Sequence, residues 1–242
     1  MVVQGLMPPK VSIAMLCGSG SVKMDTMNCL IQTMNQLSVM GVEHDYIALQ
    51  GITGVDSARN IATSMFMERD YSHLMMIDDD MAWSSDLVYR MLRQNLDVLG
   101  VPYLRKNIKN SRWTVNHPVP DVELMDGRPY LMKVSSVATG LMMVKRTVFE
   151  RLRDKVDHAI ISEEKPPIPL YFRHTIDAKG KLKSEDFSFC ELARGNGIDV
   201  WAWVDEETAH IGNYAYRGRY SDIVGKDMAY GGPRLDLKIM LE

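Results

Sequence analysis

Three consecutive carboxylates, Asp78, Asp79 and Asp80, close the stretch HLMMIDDDM directly after the apolar run Leu74 to Ile77. Two carboxylates about 4 Å apart repel by roughly 4 kcal/mol at an effective dielectric near 20, so the cluster needs solvent, protons or a cation. Residues two apart in an extended chain point to one side, about 6.6 Å apart at the backbone. Asp78 and Asp80 can therefore converge on one cation, or divide a cation and a ribose between them. Hard oxygen ligands select Mg²⁺ or Mn²⁺, whose coordination is commonly completed by substrate phosphates. A helix cap before Ser84 would use one carboxylate, not three.

A second acidic pair stands in SEDFSFC, where Ser184 is a natural N-cap and Glu185 and Asp186 fall in the first helical turn. Acids are favourable at that end of the helix dipole, which alone accounts for both. Asp186, however, shares a stripe with Cys190 and Ala193 at i+4 and i+7, so its carboxylate opens inward, into a pocket. Arg59 lies one helical step of about 100° from the Ala58 stripe. It can face a cleft and meet a phosphate or a base there, or else sit solvated on the surface. The segment GSGSVKMD matches neither the dinucleotide fingerprint nor the P-loop spacing, which argues against NAD and P-loop ATP sites.

The elements that position these residues follow from periodicity. VSIAMLC reads as a buried strand, Met24 to Leu37 as a helix stopped by Gly41, and VEHDYIAL as a second strand. A helix from Asp56 to about residue 69 and a third strand, HLMMI, lead into the acidic triplet. A helix capped by Ser84 or Ser85 and a fourth strand, DVLGVPYL, follow. This order predicts an α/β fold, with a mostly parallel central sheet and helices on both faces. Residues 105 to 135 are polar and basic with a DG turn, and read as short antiparallel strands or a small antiparallel flap. SSVATGLMMV returns to a strand, and Thr147 with Glu150 forms a capping box for TVFERLRDKV. SEDFSFCELARGNG is a helix, and IDVWAWV reads as the last strand.

With 242 residues and 46% hydrophobic content, one large domain with a substantial core is expected. The net charge of −3 gives no basic field for tracking nucleic acid, and RKNIKNSR is short and poor in aromatics, so a solvated flap is the expectation there. Cys17, Cys29 and Cys190 form no CxxC pair and read as buried thiols in a reducing compartment. No run approaches a membrane span and no secretory signal is evident, so a soluble, cytoplasmic protein is expected.

Taken in order, ARN at 58 to 60, HLMMIDDDM at 73 to 81, ATGLMMVKR at 138 to 146, SEDFSFC at 184 to 190 and AHIG at 209 to 212 resemble the GT-A-fold glycosyltransferases, family 2-like, of bacteria, phages and large viruses. The resemblance implies a single GT-A-like catalytic domain over 1 to 242, with a nucleotide-binding half to about 104 and an acceptor half with a C-terminal lid from about 105. It implies a UDP- or GDP-sugar donor whose diphosphate is bridged by Mn²⁺ or Mg²⁺ to a D-x-D motif, here Asp78 and Asp80 with Asp79 between them. It implies a carbohydrate or other hydroxyl acceptor, and a location in the host cytoplasm if the source is a virus or phage. Asp186 then corresponds to the general base of inverting enzymes, with Glu185 as the fallback, and His210 to a late third metal ligand. Asp78, Asp79 and Arg59 would contact the donor, as would Thr139 and Gly140, where the family brings backbone near the donor sugar.

NYAYRGRYSD, with Arg217 among its cations, reads as a lid meeting sugar and phosphate, or as a packing arm that gives a homodimer. The remaining histidines carry no assigned role. Two other readings compete. One is a noncatalytic nucleotide- or glycan-binding module on the same scaffold. The other is a D-x-D phosphohydrolase, disfavoured because its motif opens the first strand and wants Thr or Val where Ala82 stands.

Overall fold

Every residue of VSIAMLC is buried, because this strand, β1 (Val11–Cys17), is covered on both faces. Its side chains alternate: Ala14 and Leu16 enter one hydrophobic cluster, and Ile13 and Met15 the other. The structure, a computed structural model, describes residues 9–18, 20–107, 112–116, 123–161 and 163–223. After β1 come α1 (Met24–Val39), β2 (His44–Gln50), α2 (Val55–Met67), β3 (His73–Asp78), β4 (Met81–Ala82), α3 (Leu87–Gln94) and β5 (Val98–Gly100). Short strands β6 (Val115–Asn116), β7 (Glu123–Met125), β8 (Arg128–Val134) and β9 (Ser136–Val137) precede β10 (Leu141–Lys145) and α4 (Arg146–Leu152). Two small hairpins follow, β11 (His158–Ala159) with β12 (Ile168–Pro169), and β13 (Thr175–Ile176) with β14 (Leu182–Lys183). The described chain ends with α5 (Glu185–Gly195), β15 (Val200–Trp203), β16 (Glu207–Ile211) and β17 (Ala215–Arg219).

The eight-stranded sheet has the order β2-β1-β3-β10-β5-β15-β8-β7. Only β10 and β8 run against the others, so the sheet is mostly parallel, as the pattern predicts. β10 inserts antiparallel between β3 and β5, so strands from both predicted halves interleave in one sheet. Helices α2, α4 and α5 cover one face through Phe66, Phe149 and Phe189, and α1 and α3 cover the other through Leu37 and Met91. All three cysteines are free thiols; Cys17 and Cys190 are buried and Cys29 is partly so. Among the described residues, no helix is long and apolar enough to cross a membrane.

The DG turn is present, with Gly127 at φ 70°, and the antiparallel β7–β8 hairpin it joins extends the edge of the main sheet. Two expectations need correction. IDVWAWV is not the last strand, since β16 and β17 follow it. Of the expected lid, Tyr216 and Tyr220 are buried and Tyr220 packs edge-on against Trp113, so residues 215–220 are anchored to the body. Residues 224–242 and residues 108–111 of the basic stretch lie outside the described residues, as does His117.

Arg146, inside the ATGLMMVKR stretch, has a structural task. Its guanidinium donates to the carbonyls of Phe66, Met67, Arg69 and Tyr71 while lying over the Phe66 ring. These include the last carbonyls of α2, which have no partner within the helix. Fixing the end of α2 also fixes its start, where Arg59 and Asn60 reside.

Candidate functional site

The period of two along β3 places Asp78 on the face of Leu74 and Met76, toward α2 and α5. There Arg59 reaches Asp78 Oδ1 at 3.4 Å and also pairs with Glu185 at the start of α5. Arg59 is 4% exposed, so it is neither a solvated arginine nor a free one: two carboxylates already match its charge. Burial pushes the Asp78 carboxyl above its ordinary value, and the guanidinium opposes that push.

Asp80 lies past the strand end, next to the β4–β16 ladder, where His210 is the register partner of Met81. The Ile211 amide donates to the Asp80 carbonyl at 2.7 Å, and His210 Nε2 stands 3.4 Å from Asp80 Oδ1. The other ring nitrogen of His210, Nδ1, is 2.9 Å from the Leu104 carbonyl, which orients the imidazole. Lys106 pairs with Asp80 Oδ2. Burial pushes the Asp80 carboxyl up, but His210 and Lys106 outweigh it and hold the group below its ordinary value. Asp79, between the two, is raised by burial and then by its neighbours Asp80 and Asp78, while its carbonyl accepts from the Lys23 amide at 2.9 Å.

Gly140 faces this cluster across the β3–β10 ladder, its carbonyl accepting from the Asp78 amide at 3.1 Å. A Cβ at Gly140 would stand 2.5 Å from the Tyr103 hydroxyl and 2.9 Å from Asp78 Oδ2, so glycine here permits a close approach of three groups. Tyr103 is buried, stacks edge-on against His210, and has its phenol raised well above the ordinary value, by burial first and then by Asp78. Thr139 is fully buried and its hydroxyl has no hydrogen-bond partner.

At α5, Ser184 is the N-cap by position, but its hydroxyl donates to Asp186 Oδ1 instead of capping the helix. The Phe187 amide donates to the same oxygen at 2.8 Å. Asp186, Cys190 and Ala193 are all buried, as their shared stripe predicts. Glu185 is held by Arg59 through Oε1 and stands 3.3 Å from His174 Nε2 through Oε2. His174, given no role on sequence, therefore joins the site. Asn60 fixes the segment before it by exchanging two hydrogen bonds, of 2.8 and 2.9 Å, with the Phe172 backbone.

Among the described residues, no three His, Cys, Asp or Glu side chains are arranged as a metal site. Yet Asp80 Oδ1 is a buried oxygen without a hydrogen-bond partner, and an imidazole nitrogen faces it. That donor pair suits a divalent ion as two of its ligands, with Asp78 and phosphate oxygens to supply others. Arg217 is not brought to the acids. It is exposed and lines a separate polar cavity of about 650 Å³, with Asp25, Cys29, Trp83 and Glu206.

Lys106, Tyr103, His174 and Asn60 are the site residues that sequence reasoning passed over. Only Lys106 left a signal, in the basic stretch, and Asn60 stood inside ARN without a role of its own.

No family model matches the chain, and no curated protein matches it. Among solved structures it is similar to A197 from STIV, at 20% identity, covering 84% of this chain and 86% of that one, with a TM-score of 0.49. It is similar to the Drosophila β-1,4-galactosyltransferase 7 complex with manganese, UDP-Gal and xylobiose, at 16% identity, covering 79% of this chain and 64% of that one, with a TM-score of 0.43. It is also similar to the inositol-1-phosphate CTP transferase from T. maritima, at 9% identity, covering 84% and 89%, with a TM-score of 0.44. The chain thus spans less than two thirds of the galactosyltransferase. These are distant likenesses of overall α/β arrangement, and they assign no activity or residue role.

Proposed function

We propose that this chain is a metal-dependent glycosyltransferase that moves a sugar from a nucleotide-diphosphate donor, UDP- or GDP-linked, to a hydroxyl of a glycan acceptor, with inversion. The observation that carries the reading is the meeting of two acid sets. Asp78 ends β3 with Asp80 just past it, Glu185 and Asp186 open α5, and Arg59 links Asp78 to Glu185. Ligands of open parallel sheets bind beyond the strand carboxyl ends, where this meeting lies. The ordered sequence resemblance supports the same reading.

Asp80 and His210, with Asp78, would hold Mn²⁺ or Mg²⁺. When bound, the ion supplies positive charge against the departing diphosphate. The chain's own groups do the rest. Lys106, already beside Asp80, can transfer its ammonium to a phosphate oxygen once the carboxylate is otherwise engaged. Arg59 keeps Asp78 and Glu185 in place. Glu185 has both oxygens engaged, by Arg59 and His174, which leaves Asp186 as the base. Ser184 and the Phe187 amide both bond its Oδ1, which orients Oδ2 to take the acceptor proton. Thr139 and Gly140 would bring backbone near the donor sugar.

A thermal-shift screen of nucleotide sugars, with and without Mn²⁺, tests the reading, since a ligand that binds only the folded state raises apparent stability. Asp80→Ala removes the metal-dependent part of the shift. Asp186→Asn keeps donor binding and lowers transfer by about 10²–10⁴-fold. An intact metal-dependent shift in Asp80→Ala, or unchanged transfer in Asp186→Asn, refutes the assignment.

A further inference from the structure

The β13–β14 hairpin, at residues 175–183, shows a combination that the transfer reaction does not use. Ile176 and Leu182 are direct partners in its ladder, so their side chains lie on one side, yet they are 71% and 66% exposed. The loop that joins them is built locally. Asp177 Oδ1 accepts the amides of Lys179 and Lys181 at 2.9 Å each, the Gly180 amide bonds the Asp177 carbonyl, and Gly180 takes the positive φ of 76° the turn requires. The aliphatic pair is thus held outward by a self-sufficient turn. Lys179 and Lys181 are exposed beside it, and Arg173 and Lys183 stand at its base. From Arg173 to Lys183 the segment holds four cations and one carboxylate; Arg173 pairs with Asp157 and Lys183 with Glu191, so Lys179 and Lys181 carry the excess positive charge, in a chain of net −3. A second exposed aliphatic pair, Ile160 and Ile161, belongs to the same edge, since Ile161 lines a cavity with Arg173 and His174.

We propose that this hairpin docks the protein on an anionic lipid surface, Ile176 and Leu182 entering the headgroup boundary while Lys179 and Lys181 meet lipid phosphates. The charge of the segment is complementary to an anionic leaflet and opposite to that of the chain as a whole. Aliphatic side chains ringed by lysines are the composition of interfacial anchors. A polyanion in water would engage the lysines and leave the isoleucine and leucine exposed. Two side chains at a hairpin tip also offer far less than the roughly 800 Å² per partner of a stable protein interface. Ser184 alone separates the hairpin from α5, so a surface held there lies beside the acids at the start of that helix.

Vesicle co-sedimentation of the full chain, without nucleotide, tests this independently of glycosyl transfer. Vesicles of phosphatidylcholine are compared with vesicles that also contain phosphatidylglycerol, at low and high salt. Binding is expected only to the anionic vesicles and to weaken with salt. The Ile176→Ser/Leu182→Ser variant should lose at least about tenfold in affinity, and Lys179→Glu/Lys181→Glu a similar factor. All four substituted positions are solvent-exposed, and an unchanged melting temperature shows that each variant folds. Equal binding to neutral and anionic vesicles, no binding to either, or full binding by the serine variant overturns the proposal. So does complete displacement by inorganic phosphate from a serine variant that still sediments, which marks a simple anion site.

Discussion

Asp78 and Asp80 are two residues apart and share one motif, yet they sit in opposite electrostatic regimes. Asp78 faces the α2–α5 side, where a buried arginine bridges it to Glu185, and burial raises its carboxyl. Asp80 faces the β4–β16 side, where burial is outweighed by His210 and by a partly exposed lysine. The lesson is a division of labour inside the motif. Asp78 belongs to a closed network of buried ion pairs, and Asp80 to a more open one, where the proposed ligand would displace its lysine.

The largest test of that division is Arg59→Met. Arg59 and Glu185 side chains are 5% and 7% exposed, so removing the cation strands a buried carboxylate and weakens the hold on Asp78. Breaking a buried pair by deleting one partner costs about 3–5 kcal/mol. Urea unfolding should show a loss of that size, and Arg59→Met with Glu185→Gln should recover part of it. A loss under about 1 kcal/mol would mean that the bridge is not structural.

The start of the same strand sharpens the comparison by separating the acid sensitivity of the fold from that of the motif. His73 is 4% exposed, its Nδ1 2.8 Å from the Ser72 hydroxyl and its Nε2 without a partner. Burial first and then Lys145 lower its pKa from 6.5 to about 4, with Asp97 opposing weakly. The unfolded chain therefore takes up the proton first. The stabilisation is present above pH 6.5 and is lost as pH falls toward 4, by about 3 kcal/mol. His73→Gln should remove that loss, measured as unfolding free energy between pH 7 and 4. An unchanged acid limb would place the sensitivity elsewhere.

Much of the scaffold was legible because it rests on local rules. The uninterrupted burial of VSIAMLC, the helix after SED and the acids at the end of HLMMI follow from periodicity and capping. Asp56 reads as the N-cap of α2, whereas Gly54 holds that position and Asp56 falls in the first turn. What stayed hidden depends on distant contacts. The antiparallel seat of β10 between β3 and β5 leaves no trace in its own apolar pattern, which any central strand would share. AYRGR hides a strand, since its tyrosine and arginines read as a lid or a packing arm until Tyr216 is seen to be buried against the body. His174 meets Glu185 through a distant contact, on a segment whose Phe172 backbone is bonded by Asn60, 112 residues away in sequence. The helical angle of Arg59 allows either a cleft or a solvated surface, and no spacing rule shows that two carboxylates already hold it.

The smallest effect on stability, and the finest cut between the two acids, comes from Lys106→Ala. The Lys106 and Asp80 side chains are 32% and 21% exposed, so the pair is screened and its removal should change unfolding by less than about 1 kcal/mol. Its effect on ligands is the informative one. If the lysine only shields Asp80, its loss leaves that carboxylate open, and the Mn²⁺-dependent thermal shift grows. If it also meets the donor phosphates, nucleotide affinity falls at the same time, by roughly tenfold for one charged contact. A stability loss as large as that of Arg59→Met would erase the difference between the two sides, because Asp80 would then be as structurally committed as Asp78.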